Sequence, residues 1–228
     1  MKYAIVGGTG VYGGFSSSCE KCIKTPYGEV FVYLIEEEGA SFVFLPRHGK
    51  THNKPPHLVN YRGNIWALKE LGVSKVLTTA AVGSMTEKFK IGDLVLINDF
   101  IDMTKNRPST FFEGENGVAH VSMQEPYCQG MRLILQKKSN EKNINIAGEG
   151  IYVCTEGPRF ETSAEIRFYH QIGGHVVGMT SVPEVVLAKE AGLCYGAVGI
   201  VTNWCTGMVV EEASATDILN TVNEKKRR

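Results

Sequence analysis

Short apolar runs rich in Val, Ile and Phe alternate along this chain with longer stretches in which apolar residues recur every three to four positions. The first pattern suits a strand buried in a covered sheet, the second a helix that buries one face. The runs predict strands over residues 3–6, 30–35, 42–45, 75–81, 93–98, 145–154, 176–178 and 195–202, with a hairpin around residues 36–40. The periodic stretches predict helices over residues 59–71, 127–141, 163–172, 182–191 and 213–225. In the first of these Val59, Trp66 and the pair Ile65, Leu68 fall at helical spacing, and Gly72 stops the helix. Alternating elements of this kind predict a single α/β domain over residues 1–228, with helices covering a central sheet.

Two local patterns sharpen the picture. Ser181-Val182-Pro183-Glu184 reads as a helix start, with Ser as N-cap, Pro in the first turn and Glu at the capping-box position. Residues 104–125 are polar, Gly-rich and interrupted by Pro108. A loop that long inside a compact domain is a functional segment or an interface arm.

Composition excludes more than it assigns. Hydrophobic residues make up 43% of the chain and charged residues 21%, and 24 basic side chains balance 24 acidic ones. Nothing in that balance predicts nucleic-acid or anionic-membrane binding, and the basic end Lys225-Lys226-Arg227-Arg228 reads as a solvated tail. No apolar stretch approaches the roughly 18 residues that span a bilayer, and Met1-Lys2 leads directly into a strand, so a cytoplasmic protein is expected. Cys154, Cys194 and Cys205 lie in or beside apolar runs and read as buried thiols. Cys19-Glu20-Lys21-Cys22 has no second pair and no His at zinc spacing, so it reads as a surface loop; no metal site is expected.

Candidate chemistry sits at the ends of the predicted strands. Gly8-Thr9-Gly10-Val11-Tyr12-Gly13 matches GxGxxG, but no helix opens on the third glycine and no acidic residue caps a second parallel strand. It reads instead as a Gly loop whose backbone N–H groups and Thr9 hydroxyl approach an anion. Pro46-Arg47-His48-Gly49 presents a planar guanidinium suited to two phosphate oxygens and an imidazole beside it. Ala80 and Ala81 end a buried strand with little side chain, where a ligand can meet bare backbone. Thr180 stands at the mouth of the Ser181 helix. Thr9, Arg47, His48, Ala80, Ala81 and Thr180 thus form an expected oxyanion cage. Met179 precedes that helix. Phe160 offers a ring for stacking and Glu161 a carboxylate that only accepts, both behind the corner Gly157-Pro158. Asn203, with Trp204 and Cys205 after it, ends the last apolar strand. A 6-oxopurine carries an N1–H donor with O6 and N7 acceptors, which Glu161 and the Asn203 amide complement. Adenine would set its N1 lone pair against Glu161, a mismatch that a buried site rejects strongly.

Taken together, Pro46-Arg47-His48-Gly49, Gly157-Pro158-Arg159-Phe160-Glu161-Thr162 and Gly178-Met179-Thr180-Ser181-Val182-Pro183-Glu184 resemble the trimeric purine nucleoside phosphorylase and methylthioadenosine phosphorylase family, and so does Asn60-Tyr61-Arg62-Gly63-Asn64-Ile65-Trp66-Ala67-Leu68. The resemblance implies a mixed, partly barrel-like sheet flanked by helices, phosphorolysis of an N-glycosidic bond, and no cofactor, inorganic phosphate being a co-substrate. It implies a homotrimer or a dimer of trimers, with His120 reaching into a neighbour's site. By motif match, Thr9, Arg47, His48, Ala80, Ala81 and Thr180 would hold phosphate, Met179 the ribose, and Phe160, Glu161 and Asn203 through Cys205 the base. Asn203 and His48 would be the catalytic side chains. Thr216 falls at the 5′ pocket. The methylthioadenosine enzymes carry Asp at the place of Asn203 and a small residue at that of Glu161, so both departures point to the 6-oxopurine branch. A methylthioinosine or methylthioadenosine phosphorylase is the alternative enzyme, and a non-catalytic nucleoside-binding protein the alternative class.

Overall fold

The computed structural model describes residues 3–8, 18–37, 39–51 and 53–209; the predicted helix over residues 213–225, Thr9 and Thr216 lie outside them. The elements are strands β1 (Tyr3–Gly7), β2 (Ser18–Thr25), β3 (Gly28–Glu37) and β4 (Ala40–Pro46), helix α1 (Tyr61–Glu70), β5 (Lys75–Ser84) and β6 (Leu94–Met103). They continue with α2 (Gln129–Glu141), β7 (Ile146–Thr155), α3 (Ser163–Gln171), β8 (Val176–Gly178), α4 (Ser181–Glu190) and β9 (Cys194–Trp204).

All nine strands form one mixed sheet in the order β2-β3-β4-β1-β5-β8-β7-β6-β9. A further pairing of β5 with β9 closes β5, β8, β7, β6 and β9 on themselves. The molecule is therefore a small barrel fused along β5 to an open wing. β1 runs parallel to both β4 and β5, and β5 runs parallel to β9, so these four strands end on one side. The core fills the barrel and the space beneath α1 and α4, with Val6, Leu45, Val76, Tyr195 and Val201 at or near full burial. Asn60 caps α1 by accepting from the Gly63 N–H at 3.0 Å, and Gly72 ends the helix at a φ of 70°, which a residue with a Cβ adopts only under strain.

Three expectations need correction, and one local feature was not foreseen. First, Cys19 and Cys22 do not lie in a loop; they lie on β2. Among the described residues that edge strand pairs only with β3 and buries only Ile23, so it carries no alternation for a sequence pattern to show. Residues three apart on a strand face opposite sides, which also prevents the two exposed thiols from sharing one ion. Second, Cys194 is not a buried thiol but is bonded to Cys128, joining the start of β9 to the N-terminus of α2. Cys154 and Cys205 remain free and buried, and burial pushes the Cys154 thiol up to about 12. Third, no capping box forms at Ser181: Val182 is extended at φ −110° and ψ 131°, so the helical turn proper starts at Pro183. A capping box does form one helix earlier, where Thr162 accepts from the Glu165 N–H and Glu165 accepts from the Thr162 N–H.

Candidate active site

A cavity of about 360 Å³ opens where β1, β4, β7 and β8 end and where the second halves of β5 and β9 run side by side. Of the residues singled out in the sequence, it is lined by Arg47, His48, Ala80, Ala81, Phe160, Glu161, Met179, Thr180, Asn203, Trp204 and Cys205. His120 is exposed on the loop after β6 and does not line it.

One wall is polar and rigid. Arg47 follows β4, and its N–H donates to Gly7 O at 3.1 Å, which sets the turn against the end of β1. Its side chain is 1% exposed. Nε donates to Glu184 Oε2 at 2.7 Å, Nη2 to Glu184 Oε1 at 2.9 Å and to Thr78 Oγ1, and Nη1 to Thr79 O at 2.9 Å. A guanidinium has five N–H donors. Four are engaged, so among the described residues one remains, on Nη1 beside Gly8. This corrects the sequence-based expectation that the fork of Arg47 faces two anion oxygens: the fork holds Glu184. Gly8 keeps the approach to Nη1 open, since a Cβ there would lie 2.7 Å from that nitrogen and 2.7 Å from Thr79 O. Burial works against the Arg47 charge, but the Glu184 carboxylate outweighs it and holds the guanidinium above its ordinary pKa. Glu184, fully buried, also accepts from the Tyr195 hydroxyl at 2.6 Å. His48 places Nδ1 2.8 Å from Lys54 O, which fixes Nδ1 as the protonated nitrogen.

The opposite wall carries hydrogen-bonding side chains. Glu161 is buried, and its Oε1 accepts from Thr155 Oγ1 at 2.6 Å. Burial raises its pKa above the ordinary carboxylate value, and the Thr155 hydrogen bond opposes that rise. Asn203 Oδ1 accepts from Thr202 Oγ1 at 2.9 Å, while Nδ2 donates one hydrogen to Trp204 O at 2.9 Å. The second Nδ2 hydrogen completes the donor inventory of this wall. Gly83 makes room for that amide: a Cβ there would lie 3.2 Å from Asn203 Nδ2 and 2.8 Å from Cys205 Sγ. Thr180 is buried between the walls, its N–H donating to the Tyr152 hydroxyl at 3.2 Å. Phe160 stands half exposed at the mouth. Among the described residues, no group of three or more His, Cys, Asp or Glu side chains is placed to hold a metal ion.

Sequence reasoning missed the residues that hold these walls in place. Glu184 carried a helix-start signature that concealed its partner 137 positions earlier in the chain. Thr155 and Thr202 sit inside strand runs as ordinary β-formers. Arg107, inside the polar loop, was not singled out in the sequence and is buried.

A family model described as the phosphorylase superfamily matches residues 2–228. The chain is 48% identical over 227 residues to a probable 6-oxopurine nucleoside phosphorylase of Moorella thermoacetica, covering 98% of this chain and 87% of that protein. It is 45% identical over 229 residues to an S-methyl-5′-thioadenosine phosphorylase of Pyrococcus horikoshii, covering 100% of this chain and 88% of that one. Among solved structures, methylthioadenosine phosphorylase from Schistosoma mansoni in complex with adenine superposes with a TM-score of 0.93 at 36% identity, over 98% of this chain and 86% of that chain. The fold is thus shared with that solved structure over almost the whole chain, and the chain belongs to the phosphorylase superfamily.

Proposed function

We propose that the protein is a purine nucleoside phosphorylase that cleaves inosine and guanosine with inorganic phosphate, giving the free base and ribose 1-phosphate. The observation that carries this reading is that Glu161 and Asn203 line one cavity. An ionised Glu161 accepts from the purine N1–H, and the second Nδ2 hydrogen of Asn203 donates to N7 or O6. Phosphate takes the other wall, against Nη1 of Arg47, His48, the backbone of Ala80 and Ala81, and Thr180, with Thr9 closing the cage. Met179 lies against the ribose, and Phe160, Trp204 and Cys205 against the base.

In the reaction the C1′–N9 bond breaks first, its electron pair passing to the purine. Asn203 stabilises the charge that develops at N7 and O6, an effect of about 3–4 kcal/mol per preorganised donor. A phosphate oxygen then bonds to the cationic C1′. The proton that hydrogen phosphate loses on becoming an ester ends on the base, so the reaction balances without another reactant. Family resemblance supports assembly as a homotrimer or dimer of trimers with His120 crossing to a neighbour, work in the cytoplasm, and no cofactor. Among the described residues, no helix is long and apolar enough to cross a membrane.

The test is base release from inosine, guanosine, adenosine, methylthioinosine and methylthioadenosine, each with and without phosphate. Phosphate-dependent release from the 6-oxopurine nucleosides, with adenosine slower by about two orders of magnitude or more, is the expected result. Equal rates on adenosine would remove Glu161 and Asn203 from the specificity argument. Faster release from a methylthio substrate would reassign the 5′ pocket where Thr216 is expected. Release that ignores phosphate would make the protein a hydrolase.

A further inference from the structure

We infer that Arg107 is a positioning residue for the nucleoside half of the active site, an inference that rests on the function proposed above. The residue comes from the long loop after β6, which is anchored rather than loose. Glu190 of α4 accepts from the Thr110 hydroxyl and the Phe111 N–H, each at 2.8 Å, and Phe111 packs between Tyr27 and Trp66. From that base Arg107 reaches inward and becomes buried.

Its guanidinium gathers acceptors from four separate segments. Nη2 donates to Glu156 O at 2.7 Å and to Thr155 O at 3.1 Å, where β7 ends and the corner carrying Phe160 and Glu161 begins. Nη1 lies 2.8 Å from Met179 O just after β8, 2.7 Å from Val182 O at the start of α4, and 3.2 Å from the Tyr61 hydroxyl of α1. Nε faces Glu156 Oε2 at 3.3 Å, a distance that gives charge attraction without a well-formed hydrogen bond. The guanidinium also lies over the Tyr61 ring, 5.4 Å from its centroid.

These carbonyls sit at strand ends and turns, where the sheet ladder supplies no donor, and a buried unpaired carbonyl is costly. One planar cation satisfies them together and so fixes the Glu161 corner relative to Met179. Lysine cannot substitute, because a single ammonium has three donors and no fork. Arg107 does not line the cavity, so it touches neither base nor sugar and acts through the segments that do. The phosphate wall is braced differently, by the Arg47–Glu184 pair and by Lys54 O on His48. Thr180 shares the segment that Arg107 holds, but Arg47 and His48 do not, so the nucleoside half should respond more strongly than the phosphate half.

The experiment compares wild type with Arg107→Lys, varying inosine and phosphate independently. A displacement of about 1 Å in a positioning contact lowers rates by roughly 100-fold, so a loss of tenfold or more in kcat/KM for inosine is expected. The KM for phosphate should stay within about twofold. Binding of hypoxanthine, read by quenching of Trp204, should weaken by a similar factor. Unchanged inosine kinetics, or equal losses for inosine and phosphate, would overturn the inference. Should Arg107→Lys not fold, Glu156→Gln weakens the Nε contact, together with the Lys105 N–H bond to the same oxygen, and should raise the inosine KM a few-fold; no change there also overturns it. Wild type without phosphorolysis would reject the proposed function alone. In that case amide exchange of residues 155–161 and 177–182 decides for Arg107: both segments should exchange faster in Arg107→Lys, and an unchanged rate in either refutes the clamp.

Discussion

At Glu161 recognition and stability pull in opposite directions. Burial raises its pKa, so between the ordinary carboxylate value and that raised value the folded protein binds more protons than the unfolded chain. Stability therefore falls as pH rises through this window, and at neutral pH the ionised carboxylate is a net burden on the fold. Glu161→Gln keeps an acceptor for Thr155 Oγ1 and removes the charge, so its Tm at pH 7 should equal or exceed that of wild type. Its kcat/KM for inosine should drop by about 100-fold, because an amide nitrogen then competes for the place of an acceptor. In wild type the same parameter should decline on acidification, at a pH above the ordinary carboxylate range, as Glu161 takes up its proton. A Glu161→Gln enzyme that keeps the acid limb would show that another group titrates. Arg47 presents the converse case. Its carboxylate partner is fully buried, and removing one member of such a pair costs about 3–5 kcal/mol. Arg47→Ala should lose stability on that scale in a denaturant titration, whereas Arg47→Met combined with Glu184→Met should regain most of it without regaining phosphate binding. A stable Arg47→Ala protein would mean that Glu184 finds another cation. The sequence marked Arg47 as a candidate, because an Arg-His pair after an apolar strand is conspicuous, and the residue lines the cavity. It did not reveal what the guanidinium holds, because that partner is 137 positions away and only folding brings the two together.

Among the elements, those buried on both faces were legible and those exposed on both were not. β5 and β9 read as continuous apolar runs because barrel and helices cover them, and the structure extends them only at their ends. β2 was invisible because its one buried position, Ile23, makes no pattern. Helix bodies were likewise legible, but their starts depended on tertiary demands. Thr162 and Glu165 form the capping box that sequence reasoning assigned to Ser181 and Glu184, since both tetrads satisfy the same spacing. What separates them is burial: Glu165 is only partly buried and free to reach back to its own helix, and Arg159 together with the Thr162 N–H holds its carboxyl down at about 2. Glu184 is buried beside Arg47, and an ion pair in the interior outweighs a cap worth about 1 kcal/mol. The length of the loop suggested a functional segment or an interface arm, but the inward turn of Arg107 depends on carbonyls supplied by the ends of β7 and β8, which local sequence does not encode.

The whole molecule separates stability from chemistry along β9. The strand enters at Cys194, whose N–H donates to Ser74 O beside the start of β5, and it leaves at Asn203 and Trp204 in the cavity. At about 3.3 Å per residue those ends lie roughly 30 Å apart. The Cys128–Cys194 disulfide ties α2 to the entry end, and Cys128 N–H donates to Tyr195 O at 2.8 Å on the same side. Its sequence separation of 66 makes it a long-range constraint on the unfolded chain, for which loop-closure entropy gives roughly 4 kcal/mol and natural bridges typically give about 2–4. Replacing both cysteines by serine should therefore lower the free energy of unfolding by about 2–4 kcal/mol, or roughly 4–16 °C in Tm for a chain of this size. Turnover of inosine at 25 °C should stay within about twofold of wild type, because the barrel itself, closed by β5 against β9, carries the site from one end to the other. A reductant titration of the wild-type protein offers an independent control, and it should reproduce the loss of stability without loss of rate. If activity fell in step with stability, the entry end of β9 would be mechanically coupled to Asn203, and the barrel could not be treated as a rigid scaffold for the cavity.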